Sequence, residues 1–452
     1  MTIFESINPY TLQTVGQYQA ENWQQTESKI ALAKNTQIYW ASLSFEQRGV
    51  YFLRLADYLR ANQAVIAEMI TAEMGKILAE SRIEVERCVK QCVLYASYTA
   101  GFLETQIVAT EAQISTVSHE PVGVVLGIMP WNFPIWQVLR FAVPAIMAGN
   151  VALLKHAPNV LGCALMIEEA FSKSGFPEGV FQVVVTDLGA VPRILADDRV
   201  GMVTLTGSER AGAAVAAIAG ANIKKSVLEL GGSDALIVLQ DADLAAAATV
   251  AVQSRMRNAG QACIAAKRFL VDRSVKKEFT ERVLELIQAH RQGDPTAPQT
   301  QIGPLARIDL AQNLQRQLTL SIQQGARLVT GGQRQDCNFQ PTLLDGVMPQ
   351  NIAFQEETFG PLAVITEIKG EQQAIEYANQ SRFGLSASIW TADLVRAQQL
   401  AKKLEVGSVF VNTIVQSNTR LPIGGVKKSG YGRELAEEGI KEFCHTKTLY
   451  IK

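Results

Sequence analysis

The sequence predicts an α/β protein with two tandem lobes, each built on a mostly parallel sheet that helices cover on both faces. Three observations support this fold class. The 452 residues are too many for one ordinary hydrophobic core. Short apolar runs alternate with helical patterns from residue 122 onward, and a second round of alternation extends from about 231 to 425. Alternation of strand, helix and strand is typical of parallel sheets.

The elements follow in chain order. Residues 25–100 have apolar positions three and four apart and few helix breakers, which predicts helices. The chain then becomes extended through "ISTVSHEPVGVVLGIMP". The runs predicted as strands of the first round are "VGVVLGI", "NVALLKHA", "FQVVVTD", "VGMVTLTG", "SVLELGG" and "DALIVLQ". Those of the second round are "FLVDRS", "ARLVTGG", "LAVITEI", "LSASIWT" and "GSVFVN".

Composition excludes several classes of protein. The 42 basic and 43 acidic residues give a formal charge of −1, which offers no support for nucleic acid or an anionic membrane as a partner. The amino terminus lacks the pattern of a signal peptide, and no apolar window reaches the ~18 residues that cross a bilayer. No CxxC pair occurs, so we expect no metal site, reduced thiols and a cytoplasmic protein.

The stretch "NAGQACIAAKR", residues 258–268, places Cys263 among small, uncharged neighbours. Free cysteine is often buried, so core packing is the favoured interpretation of this residue taken alone. A nucleophile, a disulfide partner and a metal ligand are the alternatives. The rest of the chain has to decide between them.

A glycine-rich turn follows one predicted strand in "VTLTGSERAG". Gly207 and Ser208 come directly after the strand, and Gly212 begins a helix of small residues. Backbone N–H groups at such a helix end can bind a pyrophosphate. The spacing is not that of the dinucleotide fingerprint, and a simple tight turn before a helix is the favoured interpretation of this motif taken alone.

Three polar residues lie in otherwise apolar segments. Glu229 ends an apolar run. It either takes part in proton transfer, or it caps the next turn or pairs with a lysine. Asn132, in "PWNFP", is either an oxyanion donor or a helix cap. Arg140 lies on an apolar helix and needs an anion from the protein or from a ligand.

Together these segments resemble the aldehyde dehydrogenase family over nearly the whole chain. The resemblance depends on their order as much as on their identity. The tail "GGVKKSGYGRE", residues 424–434, is similar to the carboxyl-terminal signature of that family. The residues that carry the resemblance are, in order, Asn132, Lys155, Gly207-Ser208, Glu229-Leu-Gly-Gly, Gly260-Gln-Ala-Cys263 and Glu357-Thr-Phe359-Gly-Pro.

The resemblance implies a covalent mechanism. Cys263 would attack an aldehyde to form a thiohemiacetal, which requires a lowered thiol pKa or a nearby base. The Asn132 side chain and the Cys263 backbone N–H would hold the oxyanion. Hydride transfer to a nicotinamide would leave a thioester, and Glu229 would activate the water that hydrolyses it. A chain that keeps this glutamate is expected to be hydrolytic rather than to acylate coenzyme A.

The resemblance also implies NAD or NADP as the cofactor. Many family members have a glutamate where this chain has Pro158, and that carboxylate repels a 2′-phosphate. Its loss, with Lys155 retained, leads us to expect that NADP is tolerated alongside NAD. The cofactor-binding residues that the resemblance assigns are Trp131, Lys155, Pro158, Gly207, Ser208, Gly212, Leu230, Glu357 and Phe359.

Arg140, Arg257 and Ser417 match positions that bind the distal carboxylate in the family members that oxidise succinate semialdehyde. We therefore expect a small aldehyde with a distal carboxylate as substrate. Pairing of either arginine with an internal carboxylate is the alternative, and glutarate semialdehyde or an apolar aldehyde remain alternative substrates. A non-catalytic relative would be expected to lose Cys263, Glu229 or Asn132, and a cysteine hydrolase would need a histidine partner.

The resemblance further implies a domain organisation. Residues 1–101 and 122–230 would bind the cofactor, and residues 231–425 would form the catalytic domain. Residues 102–121 and 426–452 would form a small β arm for a homodimer or homotetramer, by adding strands to a neighbouring sheet.

Overall fold

The computed structural model describes residues 2–452 and contains two large, mostly parallel sheets flanked by helices. The predicted fold class, with two tandem α/β lobes, is confirmed. Among the described residues, none of the helices combines the length and the apolar character that a bilayer crossing requires.

Fifteen α-helices have the following bounds: α1 Trp23–Ser42, α2 Phe45–Ala61, α3 Gln63–Met74, α4 Leu78–Phe102, α5 Trp136–Met147, α6 Leu161–Lys173, α7 Val191–Ala196, α8 Glu209–Ala221, α9 Leu244–Met256, α10 Lys276–Gln288, α11 Ile308–Gln323, α12 Ile352–Gln355, α13 Gly370–Asn379, α14 Leu394–Ala401 and α15 Ala436–Lys441, all within residues 2–452. The first four occupy the segment where the sequence predicts helices. Capping boxes at Asn22 and Ser44 begin α1 and α2.

The described residues also form these strands: β1 Ile3–Ile7, β2 Thr14–Gln19, β3 Gln106–Ile107, β4 Ile114–Pro121, β5 Val124–Met129, β6 Val151–His156, β7 Phe181–Val183, β8 Val200–Thr206, β9 Lys225–Glu229, β10 Asp234–Val238, β11 Ala266–Asp272, β12 Arg327–Thr330, β13 Arg334–Gln335, β14 Asn338–Phe339, β15 Thr342–Asp345, β16 Leu362–Ile368, β17 Phe383–Gly384, β18 Ser386–Trp390, β19 Ser408–Val411, β20 Val426–Lys427, β21 Gly430–Tyr431 and β22 Cys444–Ile451. Every run that the sequence predicts as a strand contains one of them.

The first sheet has the strand order β21-β9-β8-β5-β6-β7. All its neighbours are parallel except β21, which pairs antiparallel with β9. Its central strands are buried on both faces, which explains their continuous apolar sequence. The carboxyl ends of β5, β8 and β9 lie at one edge of this sheet. Ligands of open α/β sheets bind beyond this edge.

The second sheet has the order β12-β15-β16-β11-β10-β18-β19, and only the β12–β15 pair is antiparallel. Strands β10 and β11 are parallel neighbours, so the segments that precede them lie side by side. The first of these segments is the turn after Glu229, and the second contains Cys263. The topology therefore brings both residues to the gap between the two sheets.

A third, antiparallel sheet has the order β22-β4-β3. Eight residue pairs join β22 to β4. Both strands belong to the segments predicted as a β arm. Residues Gly430–Tyr431 lie within the same predicted segment, but they extend the first sheet beside β9 instead.

Candidate active site

The turn that carries Cys263 has an unusual backbone. Residues 258–260 all have positive φ, between 49° and 75°. A side chain at Gly260 would collide with the backbone carbonyl of Gly360, so this position requires glycine. Arg255 Nη2 donates to the carbonyl oxygens of Gly260 at 2.5 Å and Gly360 at 2.7 Å. The turn is therefore fixed in an otherwise costly conformation.

Buried contacts also hold the backbone of Cys263 itself. Lys267 Nζ donates to the carbonyl oxygens of Ala262 at 2.9 Å and Cys263 at 2.7 Å. A Cβ at Gly232 would lie 2.8 Å from the Cys263 carbonyl oxygen, so the glycine pair after Glu229 packs directly on this turn. The structure thus joins two motifs that are 34 residues apart in the sequence.

A cavity of about 350 Å³ contains Cys263. Eight of the residues singled out in the sequence line it: Trp131, Asn132, Gly207, Ser208, Leu230, Cys263, Glu357 and Phe359. The rings of Trp131 and Phe359 meet edge to face, with centroids 5.7 Å apart. Cys263 is also the only one of the six cysteines, all within residues 2–452, that is not buried. Its partial exposure in a cavity is inconsistent with core packing.

The Cys263 thiol is not activated by its protein surroundings alone. Burial raises its pKa to about 11, and nearby Glu357 and Glu229 act in the same direction. The positive charges of Arg140 and Lys267 oppose this increase. Of the two alternatives given by the sequence, a lowered pKa or a nearby base, the first is not found in the protein without a ligand, so formation of the thiolate needs a further positive charge or a base.

Glu229 ends β9 and is buried, and its Oε1 has no hydrogen-bond partner among the described residues. Burial raises the pKa of this carboxyl group, and the nearby Glu434 raises it further. Arg140 and Arg433 lower it. A buried carboxyl group with a raised pKa can accept a proton near neutral pH, which is the property that a general base needs.

Asn132 follows β5 and is buried beside the Cys263 turn. Its Nδ2 donates to the backbone carbonyl oxygen of Gln261 at 3.0 Å. The backbone carbonyl oxygen of Asn132 accepts from Asn258 Nδ2 at 2.8 Å. Asn132 does not cap a helix, because α5 begins at Trp136 and has no side-chain cap. Since an amide has two N–H donors, one remains for an oxyanion in the cavity.

The far side of the cavity suits a dinucleotide. Ser208 lines the cavity and caps α8 by accepting the backbone N–H of Ala211, and an anion is favoured at such a helix end. Lys155 is buried, yet its ammonium makes no hydrogen bond or ion pair with any of residues 2–452. Glu357 accepts from the Gly232 backbone at 3.1 Å and lies 3.4 Å from Lys267 Nζ. Unpaired donors and a fixed carboxylate fit the phosphates and hydroxyl groups of a nicotinamide dinucleotide.

Three residues assigned to the cofactor lie outside the cavity lining. Lys155 is the penultimate residue of β6, the strand next to β5. Pro158 is exposed and begins a short 3-10 turn after β6. Gly212 lies on α8, where a Cβ would meet the Leu230 side chain at 2.6 Å. Gly212 therefore allows α8 to pack on Leu230, and the structure gives it no contact with the cavity.

In the structure Arg140 pairs with an internal carboxylate, which is the alternative that the sequence left open for it. This guanidinium is buried and forms an ion pair with Glu434, and its Nη2 donates to Thr206 Oγ1 at 3.3 Å. The protein itself therefore supplies the anion that the apolar helix required. A substrate carboxylate would have to displace Glu434 and leave it unpaired in the interior, which is costly.

Arg257 and Ser417 lie in other cavities. Arg257 lines a separate cavity of about 250 Å³, together with Phe133 and Trp136. Ser417 lies at the surface, in a cavity of about 560 Å³. The structure does not bring the three predicted carboxylate-binding residues, Arg140, Arg257 and Ser417, into one cavity.

The sequence did not single out several residues that the structure places at the site. Lys267 and Arg255 support the Cys263 turn, and Glu434 lies near Glu229. Gln137, Thr206 and Arg307 also line the Cys263 cavity. A basic residue directly after the nucleophile motif, in "AAKRF", and another just before it were the signals available for Lys267 and Arg255.

Comparisons with known proteins agree with this arrangement. A model of the aldehyde dehydrogenase family matches residues 1–449. A probable succinate-semialdehyde dehydrogenase [NADP(+)] from Synechocystis sp. is 45% identical over 99% of both chains. A succinate semialdehyde dehydrogenase [NAD(P)+] from Escherichia coli is 44% identical over 98% of this chain and 97% of its own. The crystal structure of succinic semialdehyde dehydrogenase from Streptococcus pyogenes, in complex with NADP+, superposes with a TM-score of 0.97 at 34% identity, over 99% of both chains.

Proposed function

The chain belongs to the aldehyde dehydrogenase family, and from this premise we propose that it oxidises succinate semialdehyde to succinate with NAD(P)+. The observation that carries the proposal is the shared cavity of Cys263, Asn132 and the residues suited to a dinucleotide. The names of relatives that are 44–45% identical over their full lengths support both the reaction and the cofactor.

The first half of the reaction acylates Cys263. The thiolate forms a bond to the aldehyde carbon, and the carbonyl oxygen becomes an oxyanion. The free N–H of Asn132 Nδ2 and the backbone N–H of Cys263 stabilise this charge, and one such donor is typically worth about 10²–10³ in rate. A bound nicotinamide dinucleotide supplies a positively charged hydride acceptor. Loss of hydride from the same carbon restores the carbonyl group and leaves a thioester on Sγ.

The second half releases the acid. The Glu229 carboxylate takes a proton from a water molecule, whose oxygen attacks the thioester carbon. The Cys263 thiolate then leaves, and the carboxylic acid is formed. Burial keeps Glu229 a stronger base than an exposed glutamate, which suits this step. Lys267 holds the Cys263 carbonyl throughout, so the sulfur stays in position for the next turnover.

A carboxylate on the substrate is supported by charge as well as by the relatives. Arg257 has no ion-pair partner within residues 2–452, although it lies close enough to Cys263 for their charges to interact. A mostly buried guanidinium that is not within ion-pair distance of any carboxylate favours a ligand with negative charge. An apolar aldehyde would leave this group unpaired.

Steady-state kinetics test the substrate. We expect kcat/KM for succinate semialdehyde to exceed that for butanal, an uncharged four-carbon aldehyde, by at least about 100-fold. Glutarate semialdehyde is the second comparison, because one methylene group changes discrimination by only about 1–3 kcal/mol. Equal values for butanal and succinate semialdehyde would contradict the proposed substrate. A higher value for glutarate semialdehyde would mean that the preferred substrate is one carbon longer than proposed.

The cofactor prediction concerns Pro158, which is exposed just after the strand that carries Lys155. We expect the Pro158→Glu variant to lose at least about 10-fold in kcat/KM for NADP, because the new carboxylate repels a 2′-phosphate. The value for NAD should change little. Pro158→Gln is the matched control, since it has nearly the same shape without the charge. An equal loss with both cofactors would show that Pro158 lies away from the 2′ position.

A further inference from the structure

We propose that Arg87, on α4, acts with Arg257 in binding the distal carboxylate of the substrate. Both guanidinium groups line the same cavity of about 250 Å³. This inference rests on the proposed function, because it assumes that the aldehyde carries a distal carboxylate. It assigns a specificity-determining residue that neither the motifs nor their spacing indicated.

The cavity of Arg87 lies next to the one that contains Cys263. Asn132 and Gln137 line the Cys263 cavity, while Phe133 and Trp136 line the Arg87 cavity. Residues 132–137 thus form a shared wall between the two spaces. Arg257 directly precedes the positive-φ turn of residues 258–260 that leads to Cys263, so the arginine and the reacting sulfur belong to one short segment. A short aldehyde bound at Cys263 on the side away from the dinucleotide residues extends towards this cavity.

Glu80 and Glu84 also line this cavity, but neither carboxylate is within ion-pair distance of Arg87 or Arg257. Neither guanidinium forms an ion pair with any of residues 2–452. Burial lowers the pKa of Arg87, and repulsion from Arg257 lowers it further. The Arg87 guanidinium carbon lies 5.1 Å from the centre of the Trp136 ring. Stacking on a ring orients the planar group and leaves its N–H edge available for a carboxylate.

The acidic groups of the same cavity are already engaged. Glu84 forms a buried ion pair with Lys76 and accepts the backbone N–H groups of Ile135 and Trp136, each at 2.9 Å. Both oxygens of Glu80 accept the Asn258 backbone N–H, at 2.9 and 3.2 Å, and its charge offsets part of that of Arg257. Counted together with Lys76, which lies behind the lining, these groups carry one net positive charge, which matches a monocarboxylate.

Arg140 is in the opposite situation, since Glu434 neutralises it. A second observation supports Arg87, because it also lines the surface cavity that contains Ser417. It therefore lies where the inner cavity meets the outside. A negatively charged aldehyde approaching from the surface would meet Arg87 before Arg257.

The test compares two substrates in two matched variants. Arg87→Met removes the charge and keeps an unbranched side chain, and Arg60→Met makes the same change at an exposed position of α2 that lines none of these cavities. For Arg87→Met we expect kcat/KM for succinate semialdehyde to fall about 10- to 100-fold, chiefly through KM. Activity on butanal should stay within about 2-fold, Arg60→Met should resemble the wild type, and Arg87→Lys should recover part of the loss.

The outcomes separate this inference from the proposed function. A wild-type enzyme that prefers succinate semialdehyde, with an Arg87→Met variant that keeps the same preference, overturns the role of Arg87 alone. An equal loss on both substrates also overturns it, because a purely structural role would act in that way. A wild-type enzyme without any preference overturns the proposed substrate, and the role of Arg87 with it.

Discussion

A Cys263→Ala variant is expected to lose aldehyde oxidation by a factor on the order of 10⁴ or more, because no other group in the cavity can form the covalent bond. The change removes one sulfur atom from a partly exposed turn, so the fold should be preserved. Its thermal unfolding and its binding of NADP, measured by fluorescence quenching, should match those of the wild type. The expected loss is therefore in kcat.

Cys337→Ala is the matched control. Burial raises the pKa of Cys337 to about 11, as it does for Cys263, but Cys337 is buried away from the cavity. If a high thiol pKa were enough to prevent a cysteine from reacting with the aldehyde, neither Cys263 nor Cys337 would be acylated. We expect only Cys263 to become acylated, as intact-mass spectrometry of the enzyme during turnover would detect. Full activity in the Cys263→Ala variant, or the absence of any adduct on that sulfur, would contradict the mechanism.

The sequence predicted the strands at the site well, because parallel strands buried on both faces are continuously apolar. The residues that follow β5, β8 and β9 were singled out for the same reason, since polar groups stand out after apolar runs. The amino-terminal hairpin of β1 and β2 was not predicted. Its strands are short, mostly exposed and weakly alternating, and they depend on pairing with each other.

Arg140 shows what spacing cannot reveal. Its position relative to Asn132 matched the family, yet its partner Glu434 lies 294 residues further along the chain. The tail that carries Glu434 was noted for its similarity to the carboxyl-terminal signature of the family, and nothing in it indicated a contact with α5. Arg87 was overlooked for a related reason: on an amphipathic helix an arginine is expected to face solvent. Only the tertiary structure shows that it stacks on Trp136 in a cavity.

The second large effect is expected for Glu229→Gln, which should stall the enzyme as the thioester. Acylation of Cys263 does not need this carboxylate as a base for water, so one equivalent of reduced cofactor should form rapidly per active site. Steady-state turnover should then fall about 10²–10⁴-fold, the typical contribution of a general base. Stopped-flow absorbance separates the two phases, and the acyl adduct should be visible by mass spectrometry. A uniform loss in both phases would instead assign Glu229 to the acylation step.

The pH dependence gives an independent test of the same role. The raised pKa of Glu229 means that the carboxyl group is largely protonated at low pH and gains its negative charge as the pH rises through the neutral range. Because only the carboxylate can accept a proton from water, deacylation and kcat should increase over that range. In Glu229→Gln this ascending limb should disappear, since the amide does not titrate.

A substitution at Glu434 should shift the ascending limb of the pH profile of kcat along the pH axis. Its carboxyl group raises the pKa of Glu229, whereas Arg140, the ion-pair partner of Glu434, lowers it. In Glu434→Gln the repulsion is lost and Arg140 loses its closest counterion, so both changes favour the Glu229 carboxylate. The ascending limb should therefore move to lower pH while the burst amplitude stays unchanged. A shift to higher pH would mean that Arg140 turns away from Glu229 when Glu434 is lost, and a limb that does not move would mean that another group controls deacylation.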